Sequence, residues 1–218
     1  MPTTDLISPF VVSCAGGLTL NKDVFSMQPG EALILQNFEP DIKGGYRRVN
    51  GTALYNTAQL PQGSSNSSTT VDCSIVFNDQ VIAARGGDIH RGAASGSWTS
   101  LTTGLGTSTR AYDFEKYNFN GTDKLIIATG HSAAQSIDAS FNVDPINATS
   151  GGTAPSNPKF VKVFQNHMFY AGATNSQEII FSVPFSEDNF TTGSGAGSFR
   201  VDSAVVGLKV FRNELIIF

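Results

Sequence analysis

The side chains with the widest chemical reach are few: His90, His131 and His167, Cys14 and Cys73, and the adjacent Tyr46, Arg47 and Arg48. Three histidines could gather a metal only if the fold carried them to one place. They sit at non-equivalent points near three different hairpins, which predicts separate, solvated or hydrogen-bonded turn residues. Two distant cysteines cannot fill a four-ligand zinc site without histidine help and make no disulfide framework. They read as unpaired thiols. No GxSxG elbow is present, the acidic residues are scattered, and the Gly-rich stretch around residues 86–96 lacks the P-loop lysine. It reads as turns. No catalytic, metal or cofactor site is therefore expected, and the chain is read as a non-enzyme. Arg47 and Arg48 could meet phosphate or an acidic partner, with a strand edge packing its arginine stems as the plainer alternative. Trp98 and Tyr170 could stack on sugar rings if exposed.

The elements that would position these residues announce themselves by repetition. An apolar strand ending in Phe, a tight polar turn carrying Asn, and a second apolar strand occur four times, starting near Ser74, Lys116, Val161 and Leu208. The anchoring aromatics are Phe77, Phe119, Phe164 and Phe211, recurring roughly every 42–47 residues, a period typical of radial β-repeats. Weaker strands follow the hairpins, as in DIHR from Asp88 and EIIFSV from Glu178, so each unit is predicted to hold four strands. Trp98 and Phe190 fall at comparable late positions. Continuous apolar runs such as Leu125-Ile126-Ile127 predict strands covered on both faces. The expectation is an all-β, propeller-like radial repeat of antiparallel blades, about 3.5 copies, with very little helix. The fourth copy stops in mid-repeat, so the expected chain is a piece of a longer product.

Composition agrees with this class. Charged residues are only 15%, while 22 Gly and 16 Phe suit a turn-rich, aromatic-filled β protein. A net charge of −4 argues against a broad basic face that grips nucleic acid. No apolar stretch is long enough for a membrane helix, which needs about 18 residues. VVSC, ending at Cys14, resembles a lipoprotein cleavage site, but the preceding residues lack a basic start and a long apolar centre. Five Asn-x-Ser/Thr triplets, at Asn50, Asn66, Asn120, Asn147 and Asn189, are read as turn markers.

Residues 1–60 form an irregular β arm, residues 61–72 a polar loop, and residues 73–218 the repeats. Within the arm, strands are predicted from Ser8 to Ser13 and from Tyr46 to Val49, with a short strand or helical turn from Ala32 to Gln36. PQGSSNSSTT, from Pro61, is predicted to be an exposed loop that buries no face.

The stretch from Gly16 to Gly51 carries a resemblance. Gly16-Gly17, Pro29-Gly30, Asn37-Phe38, Gly44-Gly45, Arg47-Arg48 and Gly51 stand in an order similar to the N-terminal region of tail nozzle or tail-tube proteins of short-tailed bacteriophages. The hairpin copies look like the blades of the β-propeller in that family. The resemblance implies a structural virion component below the portal, assembled as a ring, with tail and portal-adaptor subunits as partners and DNA passing without specific contact. It implies location in the virion tail, with assembly in the host cytoplasm, and no membrane anchor. The chain departs from the family in being far shorter than a full nozzle subunit. Two other functions compete: a carbohydrate- or receptor-binding propeller of a tail tip using Trp98 or Tyr170, and a propeller hydrolase needing converged acids and histidines.

Overall fold

A computed structural model describes residues 16–41, 45–64, 70–106 and 112–218. The strand expected between Ser8 and Ser13, together with Cys14, Gly44 and Asn66, lies outside the described residues. The chain divides into two compact units, Met1–Leu54 and Tyr55–Phe218. The division precedes the compositional break at residue 60 because the residues after Leu54 are bonded to the first repeat.

In the first unit, β1 (Gly17–Leu18) pairs in parallel with β2 (Glu31–Ala32). Gly16 is needed for close approach: a Cβ there would lie 2.6 Å from Glu31 Cγ. Its backbone N–H donates to the Gly30 carbonyl at 3.1 Å. The Glu31 carboxylate accepts from Lys22 and from the Gln28 N–H, which holds its pKa below the ordinary value. The extended piece stops at Ala32, short of the span expected to Gln36, and the one helical turn lies earlier, a 3-10 turn at Val24–Ser26. β3 (Phe38–Pro40) pairs antiparallel with β4 (Tyr46–Arg48), the strand expected from Tyr46.

The second unit contains three four-stranded antiparallel sheets and a hairpin. The first sheet is β5 (Cys73–Phe77), β6 (Gln80–Arg85), β7 (Asp88–Gly92) and β8 (Thr99–Thr102). The second is β9 (Asp113–Phe119), β10 (Thr122–Ala128), β11 (Gln135–Asp138) and β12 (Val143–Pro145). The third is β13 (Phe160–Phe164), β14 (His167–Ala171), β15 (Glu178–Phe181) and β16 (Gly197–Arg200). β17 (Leu208–Phe211) and β18 (Glu214–Ile217) form the hairpin. Neighbours in sequence are neighbours in each sheet, so every connection is a simple turn or loop. None of these sheets closes on itself, and the protein is all-β.

The four β-hairpins share one turn chemistry. Asn78-Asp79, Asn120-Gly121, Gln165-Asn166 and Arg212-Asn213 all have positive φ at both residues. That is the two-residue turn whose twist matches the flanking strands, and Asn, Asp and Gly adopt it at least cost.

Strand alternation then sorts the apolar residues. On β10, Leu125 and Ile127 join Phe77, Ile82, Ala84 and Ile89 in a core between the first and second sheets. Ile126 and Ala128 point the other way and join Phe119, Val161, Met168 and Tyr170 between the second and third. Phe169, Ala171 and Ile179 continue the pattern against Leu208 of the final hairpin. A strand covered on both faces must be apolar at consecutive positions, which accounts for the uninterrupted runs. Phe77, Phe119 and Phe164 close their first strands on the side facing the next sheet, and Phe211 closes the first strand of the last hairpin. Phe77 and Phe119 are buried there, Phe164 is half-buried, and Phe211 is 56% exposed.

Candidate interaction surfaces

The first strands of successive sheets lie side by side, and their polar side chains lock them together. Lys162 on β13 reaches both Asp113 and Glu115 on β9, at 3.0 Å each. The same two carboxylates accept the β13 backbone N–H groups of Val161 at 2.9 Å and Val163 at 3.4 Å. They thereby satisfy donors on the open edge of the third sheet, which would otherwise invite another strand. Burial pulls the Lys162 pKa down, but the Asp113 and Glu115 charges and hydrogen bonds more than reverse this and raise it. Two further bonds tie the row: Lys116 Nζ donates to the Val76 carbonyl at 3.3 Å, and the Tyr117 hydroxyl to Asn166 Oδ1 at 2.7 Å.

Two clefts open between the sheets. One, of about 290 Å³, lies at the turns of the first and second sheets and is lined by Phe77, Asn78, Lys116, Asp123, Lys124 and Ala139. The other, of about 280 Å³, includes Lys124, Asp144, Glu187 and Asp188. Three of its charged groups are engaged structurally: Lys124 pairs with Glu187, and Asp188 accepts from Thr149, Ser150 and Ser186. Among the described residues, no group of three His, Cys, Asp or Glu side chains is placed to hold a metal ion. No described helix is long and apolar enough to cross a membrane.

The histidines are dispersed but are not all turn residues. His167 opens β14, where its Nδ1 lies 2.6 Å from the Ser182 carbonyl oxygen and its ring meets Phe181 edge-on. His90 corrects the expectation of a solvated or hydrogen-bonded turn histidine: it is 3% exposed in the middle of β7, and among the described residues neither ring nitrogen has a hydrogen-bond partner. The strand expected at DIHR from Asp88 is β7, paired on both edges, so within the Gly-rich stretch read as turns Gly86 and Gly87 form the turn that precedes it. Cys73 is half-buried, and burial is the main cause that pushes its thiol pKa up.

The basic trio is exposed on a small ribbon. Arg47 Nε donates to Glu39 Oε1 across the strand pair at 2.7 Å, so one of its two charges is already matched. Arg48 is exposed and Tyr46 half-buried. The sugar-stacking rings fare differently. Tyr170 is 1% exposed, its hydroxyl donating to the Glu187 carbonyl at 2.8 Å and its pKa raised well above 10 chiefly by burial. Trp98 is half-buried, with its ring against Gly92, where a Cβ would come within 2.7 Å, and its Nε1–H donating to the Ala58 carbonyl at 2.9 Å. Both rings are used internally. Trp98 and Phe190 do share a position, between the third and fourth strands of their sheets.

The largest departure from sequence expectation is the stretch leading into the repeats. Residues 55–64 run as a strap along the outer face of the first sheet, opposite the core it shares with the second. Asn56 Nδ2 donates to the Ala93 carbonyl at 3.0 Å, and Arg85 Nη1 to the Leu60 carbonyl at 2.6 Å. The Asp88 carboxylate accepts the Ser64 N–H at 2.8 Å and the Ser64 hydroxyl. Gly63 passes so close to Gly86 that a Cβ would stand 2.2 Å from its carbonyl oxygen. The polar stretch beginning at Pro61 was expected to cover nothing, yet its first residues help to close a sheet face. Polar composition was read as solvation, whereas these groups are satisfied by buried Arg85 and Asp88. A sequence signal did exist: strand alternation puts Arg85, Asp88 and His90 on one face of the hairpin, a set of polar groups that a covering segment can bond.

No protein-family model matches the chain, and a search of curated proteins returns no match.

Proposed function

We propose that this chain is a structural component of a bacteriophage tail, of the nozzle or tube type, acting by subunit assembly rather than catalysis. In this reading the face-to-face sheets are blades of a β-propeller, and the first unit, Met1–Leu54, is an arm that docks on neighbouring subunits. The observation that carries it is the succession of equivalent four-stranded sheets, each supplying the apolar neighbour of the next. Such an arrangement makes a stiff scaffold and spends its charged groups on holding the sheets together. The order of motifs from Gly16 to Gly51 directs the reading toward a tail protein.

The mechanism is mechanical. Exposed arm residues, including Arg47 and Arg48 beside Tyr46, meet other tail or portal-adaptor subunits, and the assembled form is a homo-oligomeric ring in the virion. The net charge of −4 suits a channel wall past which DNA slides, because few basic contacts mean little counterion release and weak adhesion. Light scattering coupled to size-exclusion chromatography, followed by electron microscopy with purified tail components, tests the reading. Rings or tail-bound particles are expected. Persistent monomers with no affinity for any tail component would overturn it.

A further inference from the structure

We propose that residues 55–64 form an acid-released latch over the first sheet, with His90 as its proton sensor. The inference stands apart from the tail assignment and rests on geometry within the second unit. The strap is anchored at both ends of β7: Asn56 and Tyr55 bond the carbonyls of Ala93 and Gly92, while Ser64 bonds Asp88. His90 lies between these anchor points on the same face as Ala83 and Arg85, its strand neighbours across β6. The strap's anchors thus bracket the imidazole, which is 3% exposed and, among the described residues, has both ring nitrogens unpartnered. The β7–β8 register shifts at this residue, so the ladder around it is locally irregular.

A proton on that ring would create a cation with two N–H donors and no acceptor, the costliest state for a buried polar group. Among the described residues, the charged or titratable groups bordering it are few. β6 contributes Arg85 and its own strand Asp88; the strap's one titratable residue is Tyr55, whose hydroxyl donates to the Gly92 carbonyl, and β8 places Ser100 opposite and brings no charge. Arg85 repels the imidazolium. Asp88 is occupied by Ser64 and by the Gly104 N–H at 3.0 Å, so it offers His90 no direct bond. Burial holds the His90 pKa below 6.5; Asp88 opposes that shift and Arg85 adds to it. Release of the strap returns the ring to water and to its ordinary value. The closed form is thus fully favoured above about pH 6.5 and loses ground below it, by up to about tenfold in the opening equilibrium per pH unit.

The single tryptophan reports on this directly, because Trp98 Nε1 donates to the strap carbonyl of Ala58. Emission and acrylamide quenching of Trp98 would be followed on the full chain from pH 8 to 5, with far-UV dichroism as the check on the sheets. A red shift and increased quenching below pH 6.5, at constant dichroism and absent in His90→Gln, are expected. No change in the wild type, or the same change in His90→Gln, would overturn the proposal. Should the variant fail to fold, hydrogen exchange of the wild type, corrected for intrinsic pH dependence, decides the matter. Acid-induced loss of protection confined to residues 55–64 and β7 supports the latch, and uniform or absent loss refutes it.

Discussion

Phe119 and Phe211 occupy the same place in the repeat but not the same surroundings, which allows the stacking of sheets to be tested with a matched pair of mutations. Phe119 is 6% exposed, set edge-on to Tyr117 at 5.0 Å and packed among Ile126, Val161 and Met168. Removing its ring loses the transfer free energy and leaves a cavity walled by two sheets, so Phe119→Ala should cost about 3–5 kcal/mol. For a chain of this size that is a fall in melting temperature of roughly 6–20 °C. Phe211 is 56% exposed, with Arg212 placed 5.1 Å from its ring centroid. Truncation there opens no enclosed void and forfeits under half of the burial, so Phe211→Ala should cost about 1 kcal/mol or less. Phe77→Ala should behave like Phe119→Ala, and half-buried Phe164 should fall between. Urea unfolding followed by far-UV dichroism measures all four, with the midpoint expected to move at constant slope. Equal losses at Phe119 and Phe211, or an inverted order, would refute the claim that each sheet is stabilised by the next.

Four further substitutions probe other links. Lys162 has a raised pKa, so its contribution is complete below about pH 10.5 and is lost as pH rises through the higher folded value. Lys162→Met should lower stability by roughly 1–3 kcal/mol near neutrality, leaving Asp113 and Glu115 facing each other, and should flatten the alkaline decline; urea melts at pH 8 and 11 compare the slopes. Gly63→Ala forces a Cβ against the Gly86 backbone and should loosen the strap at a cost of about 1–3 kcal/mol, seen as a red shift of Trp98 emission. Gly193→Ala, with nothing within 4 Å of its Cβ position, is the control and should stay within about 0.5 kcal/mol. Gln165 holds φ at 48° in its turn, so Gln165→Asn should stabilise by about 0.5 kcal/mol, read as a higher urea midpoint.

The hairpins were legible because their signal is local. A polar pair between two apolar runs specifies a turn with positive φ, and the Phe before it marks the same strand end each time. The period then predicted four strands per unit, and three sheets have them. The second repeat was harder: among the 28 residues that begin at His131, strand structure occupies only Gln135–Asp138 and Val143–Pro145, with loops carrying the rest. The Lys162 triad was invisible for another reason. Lys162 stands 49 and 47 residues from Asp113 and Glu115, and only the lateral approach of β9 and β13 makes them partners. His90 was placed on the strand DIHR but its burial was missed, because a lone histidine amid glycines looks solvated and the strap that crosses its face has a composition that suggests solvent.

What residue order alone determined is the set of strands, their turns and the alternation that sorts side chains between the two faces of each sheet, since these depend on φ preferences and side-chain spacing within a few positions. Which faces meet, which charges find one another and what covers the first sheet were decided only by tertiary structure. Those outcomes depend on the burial of one sheet by the next and on strap residues finding Arg85 and Asp88, interactions that span tens of residues and leave no short-range trace.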